Sequence, residues 1–320
     1  MPVDNLDLPD QTLADLNKAL VKNHRNEQRG YIGASGIGNE CERKIWYQFH
    51  WVGTENMTAR SIKAIADGHH SEAVMIERLR LVPGVTLITE GDDGKQLGFA
   101  EGHFRGHADG VIIGIDHLSH VHHVWEHKCC NEKKVESLHK LKFENEETAL
   151  ENWDIVYYAQ AQVYMHMFKL DWHYITVCTP GSRDELSCVT AYNPEAAEFY
   201  SVIRPRRVIE AERPPPRISE TPAWYQCKWC PFTDNCHASK LPLINCRTCI
   251  SSTPKMDGTW FCEKFNHEIT DDIQRSGCAE HLFNPSIING QQVDAGEGYV
   301  DYKLANGKTI RNTGAQVIYR

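Results

Sequence analysis

The residues best suited to chemistry lie in the stretch GHADGVIIGIDHLSHVHHVWEHK, residues 106 to 128. Asp109 stands at a predicted strand end before a glycine, and Glu126 and Lys128 stand two residues apart on the next predicted strand. Alternate residues of a strand share one face, so Glu126 and Lys128 are expected on the same side. Carboxylates can bind Mg²⁺ or Mn²⁺ while a neighbouring ammonium neutralises phosphate, as phosphodiester hydrolysis requires. An exposed cross-strand pair beside a turn aspartate has the same pattern, so this hypothesis needs further context.

Three cysteines follow a C-x2-C-x5-C spacing in QCKWCPFTDNC, at Cys227, Cys230 and Cys236. Three thiolates are one short of a tetrahedral set, so the pattern requires a fourth ligand from elsewhere in the chain. The chain has 12 cysteines, and its start lacks the basic and apolar regions of a signal peptide. We therefore expect reduced thiols in a cytoplasmic protein, which favours metal ligation over disulfides.

The C-terminal segment carries a second set of candidate metal ligands, with five residues for the four positions of a tetrahedral site. They are Cys246, Cys249, Cys262, Cys278 and His281. The spacing C-x2-C followed by C-x2-H predicts a zinc ribbon, in which Cys262 is either buried or replaces one of the other four. A small C-terminal module with little apolar content needs such a metal to fold.

The hydrophobic periodicity indicates which elements position these residues. Helical spacing alternates with strand-like alternation along the chain, which predicts an α/β fold with a mixed sheet flanked by helices. A change in composition predicts a boundary between residues 1–240 and a small module at 241–320. The predicted helices cover 10–23, 59–81 and 149–170, with another starting near 194 and one carrying Cys41 that Ser35 or Asn39 caps; the predicted strands lie within 85–93, 95–115, 120–130, 172–180 and 185–193.

Five ordered motifs together resemble the PD-(D/E)XK nuclease core in its RecB-like branch. G-H-x-D-G and E-x-K match its acids and lysine, DGHHSE is similar to its first helix motif, and YYAQAQVYM resembles its Q-x3-Y helix. The resemblance implies a nuclease in which Glu72, Asp109, Glu126 and the main-chain carbonyl of His127 bind Mg²⁺ or Mn²⁺. It also implies that Lys128 orients or deprotonates the attacking water.

The same resemblance assigns roles to further residues. Gln160 and Tyr164 match the helix motif and would reach the DNA backbone or the lysine. Cys41 before the core and the three cysteines of C-x2-C-x5-C after it match the iron–sulfur subgroup, which includes CRISPR-adaptation and AddB-type nucleases. A [4Fe-4S] cluster that joins the two ends of the nuclease domain is therefore implied, with zinc as the alternative.

Charge patterning bears on the partner. The net charge is −9, but residues 128–142 carry five lysines against two glutamates, and 204–217 carry five arginines against two glutamates. Such runs predict sequence-independent contacts with DNA phosphates, while solvated surface is the simpler alternative.

With no base-reading motif visible, we expect an exonuclease in recombination or end processing, of phage or prophage type and acting in the bacterial cytoplasm. The alternative is a non-cleaving DNA- or protein-binding module of the same fold, with a recombination or host protein as partner. No apolar run is long enough to span a membrane.

Overall fold

The computed structural model describes residues 10–24, 28–55, 57–115 and 118–319. The predicted lack of a leader concerns residues 1–9, which lie outside the described residues. Most helices and strands precede residue 240, and two small sheets follow it. The helices are α1 (Gln11–Asn23), α2 (Glu42–Phe49), α3 (Ala59–Leu79), α4 (Glu132–Glu144), α5 (Glu146–Trp153), α6 (Ile155–Phe168), α7 (Pro194–Glu198), α8 (Arg204–Glu210), α9 (Tyr225–Lys228), α10 (Thr233–His237) and α11 (Asp271–Gln274).

Within the described residues, the strands form four sheets. Their bounds are β1 (Ile32–Gly33), β2 (Thr86–Ile88), β3 (Gly98–Glu101), β4 (Phe104–His107), β5 (Gly110–Ile113), β6 (His123–Cys129), β7 (Trp172–Cys178), β8 (Glu185–Ala191), β9 (Ser252–Pro254), β10 (Trp260–Cys262), β11 (His267–Ile269), β12 (Gly290–Gly296), β13 (Tyr299–Leu304), β14 (Thr309–Thr313) and β15 (Gln316–Tyr319).

The central sheet is mixed and has the strand order β2-β5-β6-β7-β8. Only the β6–β7 pair is parallel, because the crossover through α4, α5 and α6 returns the chain in the same direction. On one face, Met75 of α3 packs with Leu87, Ile112 and Trp125. The larger core covers the other face, where α4, α5 and α6 pack. The predicted α/β fold with helices flanking a mixed sheet is therefore confirmed.

The C-terminal segment shares its packing with the rest of the chain. Sheet β9–β11 and the meander β12–β15 contribute Trp260, Tyr302 and Ile310 to the same cluster of buried residues as the central sheet. Trp260 lies 5.2 Å from the Phe49 ring, centroid to centroid. Arg247 donates to the Phe49 carbonyl at 2.9 Å. The sequence boundary at residue 240 is therefore not a gap in the hydrophobic core.

Two local predictions are wrong. The helix predicted over 149–170 is two helices, because Asp154 is extended and its side chain accepts hydrogen bonds from the amides that begin α6. The residue that caps α2 is Cys41, and its side chain makes no capping hydrogen bond. Neither Ser35 nor Asn39 is the cap, since the helix begins only at Glu42. No helix among the described residues is both long and apolar enough to cross a bilayer.

Candidate active site and cysteine clusters

Asp109, Glu126 and Lys128 meet beside β6, the middle strand of the central sheet. Asp109 immediately precedes β5, and the other two lie on β6, the neighbouring strand. The Lys128 Nζ lies 2.6 Å from Glu126 Oε2 and 3.9 Å from Asp109 Oδ2. Strand alternation places both β6 side chains on the same face, as the spacing predicts. Two carboxylates and one ammonium therefore share one point in space.

The main chain fixes this arrangement. His127 donates its amide to Asp109 Oδ2 at 2.8 Å, and Asp109 donates its amide to Glu126 Oε1 at 3.4 Å. In a strand, the amide and carbonyl of one residue point to the same side, so the His127 carbonyl also faces the Asp109 side. The imidazole points to the other face, where it contacts Thr176 at 2.9 Å and Cys178 at 3.4 Å.

The electrostatics of the trio are strongly perturbed. Glu126 is 2% exposed, and burial, with the Asp109 charge adding to it, raises the pKa of Glu126 to about 8 although Lys128 opposes the shift. Burial disfavours the charge of Lys128, but Glu126 and Asp109 more than offset it and raise the pKa of the ammonium above its ordinary value. At Glu126 burial therefore outweighs the attraction of the Lys128 ammonium. Such perturbation is typical of functional sites.

Glu72 approaches the trio from α3. Burial and the charge of Asp109 raise the pKa of Glu72, and Lys128 lowers it. These effects require Glu72 to lie near both groups. Its neighbours His69 and His70 are exposed. The structure therefore brings Glu72, rather than either histidine, toward the carboxylates.

Gln160 and Tyr164 lie one turn apart on α6, and both are buried. The Tyr164 hydroxyl donates to the His107 carbonyl at 2.7 Å, and Gln160 donates to the Tyr164 oxygen at 3.4 Å. Burial and the Glu126 charge raise the pKa of Tyr164. The pair thus anchors the strand end that leads to Asp109.

Sequence reasoning missed Tyr157, also on α6. Its ring centroid lies 5.5 Å from the Lys128 Nζ and 4.7 Å from the Lys134 Nζ. Lys134 is held in turn by Asp154 at 2.5 Å. The signal available in the sequence was the aromatic pair directly before Ala159 and Gln160.

The donor set suits a hard cation. As the side chains stand, no three His, Cys, Asp or Glu residues among the described ranges are close enough to hold one ion. The acids converge nevertheless, and the Lys128 charge offsets the burial of Glu126 only in part. Mg²⁺ needs few carboxylates because it keeps several waters. Glu72, Asp109, Glu126 and the His127 carbonyl are the residues that would hold it.

The four cysteines that the sequence assigns to an iron–sulfur cluster surround one cavity. Cys41, Cys227, Cys230 and Cys236 all line a space of about 290 Å³ near the start of α6. Burial first, and then the Cys41 and Cys236 thiols, raise the pKa of Cys227. The lining of this space therefore includes all four sulfur donors that the sequence suggests.

In the tail, the thiols of four cysteines influence one another electrostatically, although as they stand they do not form a metal site. Burial first, followed by the thiols of Cys278, Cys249 and Cys262, raises the pKa of Cys246 to about 11. The His281 ring is 1% exposed and contacts the Thr248 hydroxyl at 3.3 Å. Strand pairing accounts for the position of Cys262. It lies on β10 opposite Ser252 of β9, which follows closely after Cys249 in the chain. This arrangement favours a ligand set of four cysteines that includes Cys262 over a set that includes His281.

The basic runs are largely engaged within the protein. In the run 204–217, Arg204 and Arg207 pair with Glu42 at 3.4 Å, and Arg217 pairs with Glu220 at 3.2 Å. In the run 128–142, Lys134 and Lys142 also have acidic partners; the exposed members of the two runs include Lys133, Lys140 and Arg213. Fewer charges than the sequence suggests are therefore available to a phosphate backbone.

No protein-family model matches the sequence, and neither does any curated protein. Among solved structures, one described as SSO0001 is 16% identical, with 70% of this chain and 94% of that chain covered and a TM-score of 0.36. An alkaline exonuclease (LHK-Exo) from Laribacter hongkongensis is 15% identical, with 61% and 92% covered and a TM-score of 0.38. Its complex with dAMP is 14% identical, with the same coverage and a TM-score of 0.39. Likeness this low establishes neither family nor activity.

Proposed function

We propose that this protein is a metal-dependent deoxyribonuclease of the PD-(D/E)XK type, in the RecB-like branch. The observation that carries the proposal is the convergence of Asp109, Glu126 and Lys128 from two strands, with Glu126 buried and its pKa raised to about 8. A purely structural ion pair would not need a second carboxylate against the first. Hydrolysis of a phosphodiester needs this combination of charges.

Each residue has a role in the proposed reaction. Glu72, Asp109, Glu126 and the His127 carbonyl would hold Mg²⁺ or Mn²⁺. Such an ion polarises the phosphoryl oxygen and lowers the pKa of a bound water. Lys128 donates hydrogen bonds to that water or to the phosphate and neutralises negative charge in the transition state. Gln160 and Tyr164 would contact the DNA backbone or the lysine. The Tyr164 hydroxyl, which accepts from Gln160 and donates to the His107 carbonyl, would keep Asp109 in place.

The proposed substrate is DNA bound without base reading. The exposed Lys133, Lys140 and Arg213 remain as phosphate contacts, so affinity should fall with salt. Processive removal of nucleotides from an end, in recombination or end repair and in a phage or prophage setting, needs no sequence recognition. An exonuclease is therefore favoured over a site-specific endonuclease.

Two further metal groups belong to the proposal. A [4Fe-4S] cluster in the cavity of Cys41, Cys227, Cys230 and Cys236 would join the segments before and after the core, and zinc is the alternative. A zinc ion in the tail would be held by the cysteine set that includes Cys262. Both groups would serve folding, since small modules with few apolar residues need a metal.

The test uses anaerobically purified full-length protein, linear and closed circular DNA, and Mg²⁺ or Mn²⁺. We expect degradation of linear DNA, survival of circular DNA, and loss of cleavage in Asp109→Asn and Glu126→Ala. A matched control is Asp301→Asn, which removes a buried acid paired with Arg311 at 2.7 Å outside the site. Cleavage retained in both site variants would refute the assignment.

The non-cleaving module is the second candidate, and one contact favours it. The Lys128 ammonium lies 2.6 Å from Glu126, where a cation would also have to bind. A protein that binds linear DNA, takes up no Mn²⁺ at this site and leaves DNA intact would support that alternative.

A further inference from the structure

Three aromatic side chains beside the cysteine cavity are exposed to solvent. Trp224, Tyr225 and Trp229 are 45%, 60% and 81% exposed, and we call them the aromatic platform. Large rings of this kind are usually buried, and contiguous exposed ones often mark a binding surface. The catalytic assignment uses none of the three.

The backbone holds the platform in a defined geometry. Lys228 donates its amide to the Trp224 carbonyl at 2.8 Å, and Cys230 donates its amide to the Cys227 carbonyl at 3.0 Å. This single turn buries Cys227 while Trp224, Tyr225 and Trp229 remain exposed to solvent. Trp224 and Tyr225 also contact one another, with ring centroids 5.0 Å apart. The three rings are therefore presented from one hydrogen-bonded turn.

Positive charge is interleaved with these rings. The Lys228 Nζ lies 5.4 Å from the Trp229 ring centroid, and Lys44 lines the same cavity as Trp229. Exposed aromatic faces beside ammonium groups complement a chain that alternates flat bases with phosphates. In a duplex the base faces are already covered by their neighbours, so a single strand is the fitting occupant.

The platform is close to the candidate active site along α6. Ile155 and Val156 line the cavity together with Trp229, and the next residue, Tyr157, lies over Lys128. A helix is about 10 Å across, so the cavity and the carboxylate site lie on two sides of one helical turn. A strand of a few nucleotides can therefore reach from one to the other.

We propose that the aromatic platform stacks the bases of single-stranded DNA and guides that strand to the carboxylate–lysine site. This inference rests on the proposed nuclease function and adds the substrate class. Stacking on an aromatic side chain contributes about 1–3 kcal/mol per base. Loss of Trp229 should therefore weaken single-strand binding about tenfold, which corresponds to about 1.4 kcal/mol.

The experiment measures fluorescence anisotropy with full-length protein carrying Lys128→Ala, which suppresses cleavage. The probes are a labelled oligothymidylate of about 15 nucleotides and a blunt DNA hairpin of matched charge. Trp229→Ala is compared with Trp229→Phe and with Phe143→Ala, whose ring is 89% exposed on another helix. Because Trp229 is so exposed, its loss should not disturb folding, which thermal unfolding checks.

We expect Trp229→Ala to lose about tenfold in affinity for the single strand, with Trp229→Phe and Phe143→Ala close to the parent and hairpin binding unchanged. Unchanged single-strand affinity in Trp229→Ala, or equal loss for the hairpin, would overturn the platform while leaving the nuclease proposal intact. A wild-type protein that neither binds nor cleaves DNA would instead overturn the nuclease proposal on which the platform rests.

Discussion

Replacing Glu126 with glutamine should stabilise the metal-free protein at alkaline pH while abolishing cleavage. Burial raises the pKa of Glu126 from its ordinary 4.5 to about 8. The folded state therefore binds this proton more tightly than the unfolded chain does. The free energy of unfolding accordingly falls as the pH rises from about 4.5 to about 8, and this contribution stays constant above. The glutamine variant has no such proton and escapes this fall.

The size of the effect follows from the shift. A difference of 3 to 4 pKa units corresponds to an upper limit on the order of 4 to 5 kcal/mol. The hydrogen bond that Lys128 donates to Glu126 at 2.6 Å opposes the shift, so its effect is already contained in the raised pKa. The net gain at alkaline pH should therefore be at most on the order of 4 to 5 kcal/mol, with little or none at acidic pH.

Urea unfolding of both proteins without divalent ions, at a pH near the ordinary glutamate pKa and at one above 8, measures this difference. Mn²⁺ at ten times its dissociation constant should then stabilise the wild type at alkaline pH by about 1.4 kcal/mol and the variant by less. Glu185→Gln is the control, because Glu185 is partly exposed and paired with Arg78, so its loss should change stability by less than about 1 kcal/mol. If the free energy of unfolding depends on pH equally in the wild type and in Glu126→Gln, the raised pKa of the buried Glu126 is refuted.

Three other predictions concern the lysine and the two cysteine sets. Lys128→Ala should lower the rate of DNA cleavage at least about 100-fold while the dissociation constant for DNA stays nearly unchanged; end-labelled DNA and a binding assay measure the two, and cleavage near the wild-type rate would exclude Lys128. Cys227→Ser should remove iron and the broad visible absorbance, whereas Cys188→Ser, at a buried thiol outside both sets, should keep them; equal iron in both would contradict the cluster. Cys262→Ser should lose one equivalent of zinc by elemental analysis and His281→Ala should retain it, and the reverse result would restore the ligand set with His281.

The chemistry of the candidate site was readable from the sequence because it depends on local spacing. Period-two alternation is a property of any strand, so Glu126 and Lys128 had to share a face once the strand was recognised. The α/β class followed for the same reason, from short-range periodicity. The break at Asp154 was missed because tertiary contacts, including the Lys134 ion pair at 2.5 Å, hold that residue extended against a helical pattern.

What the sequence determined by itself is therefore the inventory of the site: two carboxylates and a lysine in strand register, and two groups of cysteines. Only the tertiary structure decided which of them meet. Strand pairing carries Cys262 toward the other tail cysteines, and α3, which packs on the central sheet, brings Glu72 within electrostatic reach of Asp109. Spacing along a chain specifies local geometry, whereas proximity between distant segments depends on packing, which no local pattern encodes.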